Sequence, residues 1–392
     1  MPAGATLATT TSGGTAQTTR GSTAQAAPIA VVPFIRASQE HREAAVDVSR
    51  QATLSDQDMG AFPIPAYGYL RSLIILVQAT GGVYSVAGTV GADSPFSAIK
   101  NITLSEPNGA VIYQANSGYD AMLIMKYGGY RYCQDPRISP AFVASSTAGN
   151  FAFLLRVPLE INLRDSLGSL PNQNAAATFI LRMTLAGSAS VVTGGTITTQ
   201  PTVRVRVWNE EWDQPELAGE AGQNQTTPPA MNTTQYWSVQ QYPLSAGTIN
   251  VRLTRMGNYI RNLIFMYRDA SGVRVSQIAA NWPNPATLYW DTRPQDVLEI
   301  NNWMQQVYER YSYSTWSPGG TAIPFDAAGG LDTGIMPYDF AHEFNGQVGR
   351  ENRDLWLPTL GSTRLELGGT WGTAGTLYVL TNDVSVAGDV FL

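Results

Sequence analysis

The 392-residue chain has one cysteine, Cys133, and two histidines, His41 and His342. A single thiol excludes an intrachain disulfide framework. Together with two imidazoles it is also too few for a zinc site unless carboxylates join it. Cys133 lies among aromatics in "YRYCQDP", where a small buried residue is expected rather than a nucleophile. No segment reaches the 18 consecutive apolar residues a membrane helix needs, and the runs "LIILV" and "NLIFMY" have strand length. Charge is scarce as well: 14% of residues, net −6, with a pI near 5.0. Without a basic cluster, a phosphate-neutralising surface is excluded as the main function, and no sequence-specific nucleic-acid binding is expected. There is no Gly-rich phosphate loop, HExxH or GxSxG. No catalytic, cofactor-binding or metal-binding residue is therefore expected, and the chain does not read as an enzyme.

Lysine is nearly missing. Lys100 and Lys126 are the only two among 24 basic residues. A GC-rich genome accounts for such a bias; so does an extensive protein interface, where Arg is enriched and Lys depleted. Residues 1–33 lack charge apart from Arg20, lack a helical period and lack an apolar face. They also lack the basic start and apolar block of a secretory signal, and are expected to form a flexible arm. Residues 34–43 begin a charged, helix-capable segment, "SQEHREAAVDVSRQ".

What is present points to β structure. Aromatics make up 10%, and 37 Gly and 23 Pro punctuate Thr- and Val-rich stretches, as in short strands joined by turns. At this length, more than one core is the natural expectation. The chain also says nearly the same thing twice: "GYLRSLIILV" at Gly68–Val77 and "NYIRNLIFMY" at Asn258–Tyr267. Without a gap, Leu54-Ser55 matches Leu244-Ser245, followed by Tyr69/Tyr259, Arg71/Arg261, Leu73/Leu263 and Ile74/Ile264. Each copy then offers a helix. In the first, Ser117 caps and Tyr119, Leu123, Tyr127 and Tyr130 share a face. In the second, Asp291 or Thr292 caps, Pro294 suits the first turn, and Val297, Ile300, Met304, Val307 and Tyr311 form one stripe.

Downstream, Leu170-Pro171 matches Leu357-Pro358, and "TVRVRVWNEEW" matches "TLYVLTNDVSV". Val203, Val205 and Val207 alternate strictly with Thr202, Arg204 and Arg206. Offsets drift from 190 to 187 to 174 while the order never changes. This is a two-fold duplication of a β domain rather than a solenoid. Pro215–Thr234 is Pro-, Gly-, Gln- and Thr-rich and reads as a linker. The chain therefore divides into an arm (1–33), a helix-capable segment (34–43), a first roll (44–214), a linker (215–235) and a second roll (236–392). Each copy is long enough for eight antiparallel strands in two facing sheets plus a short helix, which is a jelly roll. The densest acidic patch, "WNEEWDQPE" with Glu210, Glu211, Asp213 and Glu216, is expected to be a solvated edge rather than an acid/base pair. The sequons at Asn101, Asn224 and Asn232 are taken as chance in the absence of a secretory signal.

With these features, residues 44–392 resemble the double jelly-roll major capsid proteins of tectivirus-like icosahedral double-stranded DNA phages with an internal membrane. The carrying segments are "IPAYGYLRSLIILV", "LTRMGNYIRNLIFMYRDASG", "RPQDVLEINNWMQQVYERY" and "LDTGIMPYDFAHEF…TRLELGGTWGTAGTLYVLTN". The resemblance implies an all-β fold of two tandem eight-stranded rolls with a few short helices, and a pseudo-hexagonal homotrimer that tiles the shell of a virion. Neighbouring capsomers, minor capsid proteins, vertex (penton) proteins and peripheral contact with the internal lipid membrane are the partners it implies. It implies no cofactor. Synthesis in the host cytoplasm follows from the same resemblance. The longest turn-rich insertion, Ser312–Gly334, and the stretch after Tyr132 are expected to be exterior or intersubunit loops. A duplicated, lectin-like carbohydrate-binding β-sandwich is the competing reading; it would display some of the nine Trp as exposed platforms.

Overall fold

The computed structural model describes residues 31–32, 40–128, 147, 149–161, 166–213, 224–225, 233–311, 332–340 and 355–386. Expectations placed on Cys133, His342, Tyr130, Asn232, Glu216, most of the arm and linker, and most of the two long loops lie outside the described residues. Contacts divide the chain into Met1–Phe34 with Pro215–Thr227 and Ile35–Gln214 with Pro228–Leu392. In the smaller unit, Val31–Val32 runs parallel to Asn224–Gln225.

The larger unit is two jelly rolls. The first contains β1 (Glu40–Gln51), β2 (Gln57–Pro63), β3 (Tyr69–Thr80), β4 (Ile99–Ser105), β5 (Val111–Ala115), α1 (Gly118–Tyr127), β6 (Phe151–Pro158), β7 (Ile180–Leu185) and β8 (Thr202–Trp212). The second contains β9 (Thr233–Leu244), β10 (Gly247–Arg252), β11 (Tyr259–Asp269), β12 (Ala286–Trp290), β13 (Arg293–Leu298), α2 (Ile300–Tyr311), β14 (Ile335–Asp339), β15 (Leu365–Trp371) and β16 (Gly375–Val386). Sheet orders are β1-β8-β3-β6 and β2-β7-β4-β5 in the first roll. They are β9-β16-β11-β14 and β10-β15-β12-β13 in the second. Adding eight to each strand number converts one roll into the other. The rolls join where Trp237 of β9 lies opposite Tyr113 of β5 in parallel, which makes a nine-stranded sheet. Their buried apolar side chains form one continuous cluster.

The repeated Tyr-apolar-Arg has a structural cause. On β3, Leu70 faces Glu211 and Ser72 faces Glu210, so Arg71 is the residue skipped by the ladder. On β11, Ile260 faces Asp383 and Asn262 faces Asn382, so Arg261 is skipped in the same way. Each arginine is thus the extra residue of a β-bulge, a device that re-aims a side chain. The Leu-Pro pairs fall beside it: Pro171 and Leu170 face Tyr69 and Leu70, and Pro358 and Leu357 face Tyr259 and Ile260. Just before the first bulge, Gly68 adopts φ +39°, and a Cβ there would lie 1.9 Å from the carbonyl oxygen of Trp212. Only glycine permits that approach.

Four expectations need correction. Residues 40–43 open β1 rather than a helix, with Arg42 opposite Glu210 and Glu40 opposite Trp212; a waiting strand partner outweighs local helix propensity. The match of Leu54 to Leu244 is accidental. Leu54 lies beyond β1 and is 70% exposed, whereas Leu244 ends β9 and is buried. The β8-to-β16 offset is 172 rather than 174, because Glu210 and Asn382 occupy the equivalent place opposite Ser72 and Asn262. A two-residue slip leaves every side chain on its own face, so a pattern of period 2 cannot detect it. The loss of offset between β7 and β8 has a visible source: the first roll carries two extra strand pairs, Val83–Val86 with Thr196–Thr199 and Thr89–Val90 with Val192–Thr193.

The fourth correction is α2. It starts at Ile300, because Arg293–Leu298 is strand β13. Asp291, with φ +51°, instead accepts the backbone N–H groups of Thr363 and Arg364. Glu299 receives the N–H groups of Asn301 and Asn302 at the helix start. Ile300, Met304 and Val307 are buried with Trp303, but Val297 is 51% exposed. In α1 the Ser117 hydroxyl does accept the N–H of Asp120 at 3.0 Å, and every residue of the helix is buried.

Candidate functional site

Along β8, Val203, Val205 and Val207 face the core as their alternation demands. From Asn209 to Trp212 the alternation stops and all four residues are buried. The acidic patch is therefore no solvated edge: Glu210 is 3% exposed and Glu211 0%. Both faces of the sheet are covered here. The segment after β6 crosses the first bulge, with Leu159 and Glu160 both donating their N–H groups to the Arg71 carbonyl. Asn172, just past Leu170-Pro171, likewise donates to the Gly68 carbonyl.

The bulge aims Arg71 into this closed end. Its guanidinium binds Glu160 (Nε to Oε2, 2.9 Å) and Glu40 (Nη1 to Oε1, 2.9 Å) and lies 3.7 Å from the centroid of the Trp212 ring. Trp212 in turn donates its Nε1–H to Glu160 Oε1 at 3.0 Å. Beside them, Glu210 accepts from Ser72 Oγ (2.6 Å), Arg156 Nη2 (2.7 Å) and Arg42 Nε (3.2 Å). These four residues come from β3, β6, β1 and β8 and form one cross-strand cluster. Tyr67 donates to Asp213, an interaction that pushes the phenol up to about 12. The His41 ring stacks on Tyr67 with centroids 4.1 Å apart.

Glu211 differs from its neighbours. Among the described residues its Oε1 accepts only from the amides of Asn172 (3.2 Å) and Asn209 (3.5 Å). Burial, with the charge of Glu43 adding to it, raises its carboxyl to about 7. The equivalent residue of the second roll, Asp383, instead meets the Arg255 fork at 2.7 and 3.1 Å. One roll pairs this acid with a cation, and the other solvates it with amides.

A second polar set lies between the rolls. Asp332 accepts from Lys126 Nζ (2.6 Å) and Tyr127 Oη (2.7 Å). Asp93 binds Arg268 (2.6 Å) and Arg274 (2.9 Å). Arg261, the second bulge residue, donates to the Gly128 carbonyl at the end of α1 (2.9 Å) and to Asn382 (3.0 Å). Three arginines thus hold the internal junction between the rolls. Burial raises the nearby Asp120 carboxyl to about 6, with Arg268 opposing and Asp93 reinforcing the shift.

Chemically these arrangements clamp rather than react. Glu210 and Glu160 are committed to guanidinium, hydroxyl or indole donors, and Glu211 to amides. Among the described residues no group of three or more His, Cys, Asp and Glu could hold a metal ion, and no helix is long and apolar enough to cross a membrane. Of the nine Trp, eight are described; six are buried and Trp208 and Trp290 are half-buried. The aromatic platforms a lectin-like protein would display are not found among them. Sequence reasoning named Glu210 and Glu211 but missed Arg71, Glu160 and Asn172 as their surroundings. The repeated arginine was the available signal.

No family model matches the chain, and no curated protein matches it. Solved structures do. A chain of Sulfolobus turreted icosahedral virus aligns at TM-score 0.60 and 12% identity, over 89% of this chain and 91% of that one. The major capsid protein of bacteriophage PM2 aligns at 0.52 and 10%, over 90% and 99%. A chain of the PBCV-1 virus capsid aligns at 0.50 and 10%, over 88% and 93%. At such identities the likeness shows the fold: this chain is a double jelly roll.

Proposed function

We propose that this chain is the major capsid protein of an icosahedral virus, and that three copies form a pseudo-hexagonal block tiling the facets of the shell. One observation carries the reading. The chain holds two complete rolls of identical strand order, fused edge to edge through a shared sheet, in the fold of the PM2 major capsid protein. Three such pairs place six equivalent rolls around one axis, so a single gene product fills a hexagonal lattice. The Arg-rich, Lys-poor composition suits permanent interfaces. On this reading the protein resides in the virion and its partners are neighbouring capsomers, minor capsid proteins and vertex proteins. It is made in the host cytoplasm and performs no catalysis. A tectivirus-like particle with an internal membrane belongs to the same proposal, with residues 1–33 as an arm that orders against a neighbour or the lipid below.

The test is the mass and outline of the purified chain. Light scattering should give three copies of 42.3 kDa, and negative stain a hexagonal outline. A mass of one copy at micromolar concentration sinks the proposal. Deleting residues 1–33 should leave a folded trimer that no longer closes into shells; normal assembly by the truncated chain would remove the role given to the arm.

A further inference from the structure

Two strands of the larger unit end a sheet at the place where their duplicates are joined. β1 ends the five-stranded sheet of the first roll, and β13 ends the four-stranded sheet of the second. Their duplicates, β9 and β5, are the pair that meets at Trp237 and Tyr113 to make nine strands out of five and four. Within one chain β1 and β13 belong to separate sheets. β1 is also twelve residues long and free of proline and lysine, which leaves it without two of the usual protections of a strand edge.

Ladder register identifies the residues that would meet. Trp237 faces Asn382, which faces Asn262; Arg42 faces Glu210, which faces Ser72. Ser72 and Asn262 are duplicates, each one residue past the bulge arginine, so Arg42 occupies the place of Trp237. On the other side, Tyr113 faces Leu104, which faces Leu181. Asp296 faces Leu288, which faces Leu367. Leu181 and Leu367 each lie two residues past an equivalent anchor, Phe179 accepting from Ile64 and Leu365 accepting from Leu253. Asp296 therefore occupies the place of Tyr113. Where the internal junction sets two aromatics face to face, the two strands that end their sheets among the described residues carry opposite charges at the same positions. The Arg42 side chain is 60% exposed, and Val297, next to Asp296, is 51% exposed.

We propose that β13 of one copy pairs in parallel with β1 of the next, setting Asp296 opposite Arg42, so that each junction between copies repeats the junction inside the chain. The partner is a second copy of this chain, and the inference rests on the trimer reading above. Such a contact is head-to-tail and leads to a ring only if the rotation closes. Three repetitions of the two-roll unit close it, and each adds a second nine-stranded sheet in the order of the first.

Cross-linking tests the register. Paired strands run about 4.8 Å apart, inside the Cα separation of roughly 4.4–6.8 Å that a disulfide spans. The full chain carrying Arg42→Cys, Asp296→Cys and Cys133→Ser should, on oxidation, give a reducible ladder that stops at three linked copies. Either cysteine alone should give none. A three-copy scattering mass with no cross-link overturns this junction and leaves the trimer standing, whereas a one-copy mass overturns both. Asp296→Arg, which retains β13 but faces Arg42 with a like charge, should weaken association by about tenfold or more while circular dichroism stays at the parent signal. Unchanged association of that variant also overturns the junction.

Discussion

Glu211→Gln should flatten the dependence of stability on pH. The Glu211 carboxyl is 0% exposed, and burial raises it from 4.5 to about 7. Among the described residues its Oε2 has no hydrogen-bond partner, and neither do Asn172 Oδ1 and Asn209 Oδ1. All three are acceptors, so a proton on Glu211 supplies the cluster with a donor. Below pH 4.5 the acid is neutral in both folded and unfolded chains and costs nothing. As pH rises the unfolded chain ionises first, so stability falls until the folded carboxyl also ionises near pH 7. That difference, at about 1.4 kcal/mol per pH unit, amounts to about 3 kcal/mol lost between pH 4.5 and 8. Gln keeps an amide donor there at every pH. The assay is urea unfolding at pH 5, 6, 7 and 8, at fixed ionic strength and fixed protein concentration, since association also shifts apparent stability. The parent should lose stability toward pH 8, and Glu211→Gln should lose about 3 kcal/mol less. Asp120, raised to about 6 by burial, contributes with the same sign, so adding Asp120→Asn should flatten the curve further. If Glu211→Gln keeps the slope of the parent, the buried-acid account of this site is wrong.

Other outcomes follow from the same contacts. Arg71→Met removes the cation between Glu40 and Glu160 and should cost about 3–5 kcal/mol in denaturant melts; a loss under 1 kcal/mol would mean that the network merely decorates the roll end. Gly68→Ala forces a Cβ against the Trp212 carbonyl and should cost about 2 kcal/mol or more, with a neutral result contradicting that backbone approach. Trp237→Ala empties a side chain that is 1% exposed at the roll junction and should cost about 3–5 kcal/mol in urea unfolding; parent-like stability would show that the shared sheet is dispensable. Ser117→Ala removes the α1 cap and should cost about 1 kcal/mol, measured by thermal melting, and no shift would count against the cap.

Duplication has consequences beyond symmetry. The bulge arginines were placed alike in both rolls, yet their partners diverged. Arg71 took two carboxylates, while Arg261 took a helix-end carbonyl and an amide. The first arrangement ties the start of β1 to the roll end, and the second ties the two rolls together. The shared backbone device was kept, and each roll uses its extra cation for a different junction.

Residue pattern by itself determined the β class, the duplication, the Leu-Pro partners and the Ser117 cap. Each of these depends on neighbours a few residues apart or on the period of a strand, and such signals lie along the chain. Register between strands does not. The two-residue slip from 174 to 172 preserves every inward and outward side chain, so hydrophobic pattern carries no information about it. Burial of Glu210 and Glu211 was equally hidden, because a carboxylate enters the interior only when cations and amides from distant segments meet it. Arg156, Glu160 and Asn172 lie 54, 52 and 39 residues before their partners Glu210, Trp212 and Glu211; only the closing of the roll brings them together. The strand β13 was lost to a helix reading for the same reason. "RPQDVL" has no strong preference of its own, and it became a strand because β12 lay beside it. Tertiary structure decided what each polar residue faces, since pairing across a sheet is set by the fold of the whole chain rather than by its order.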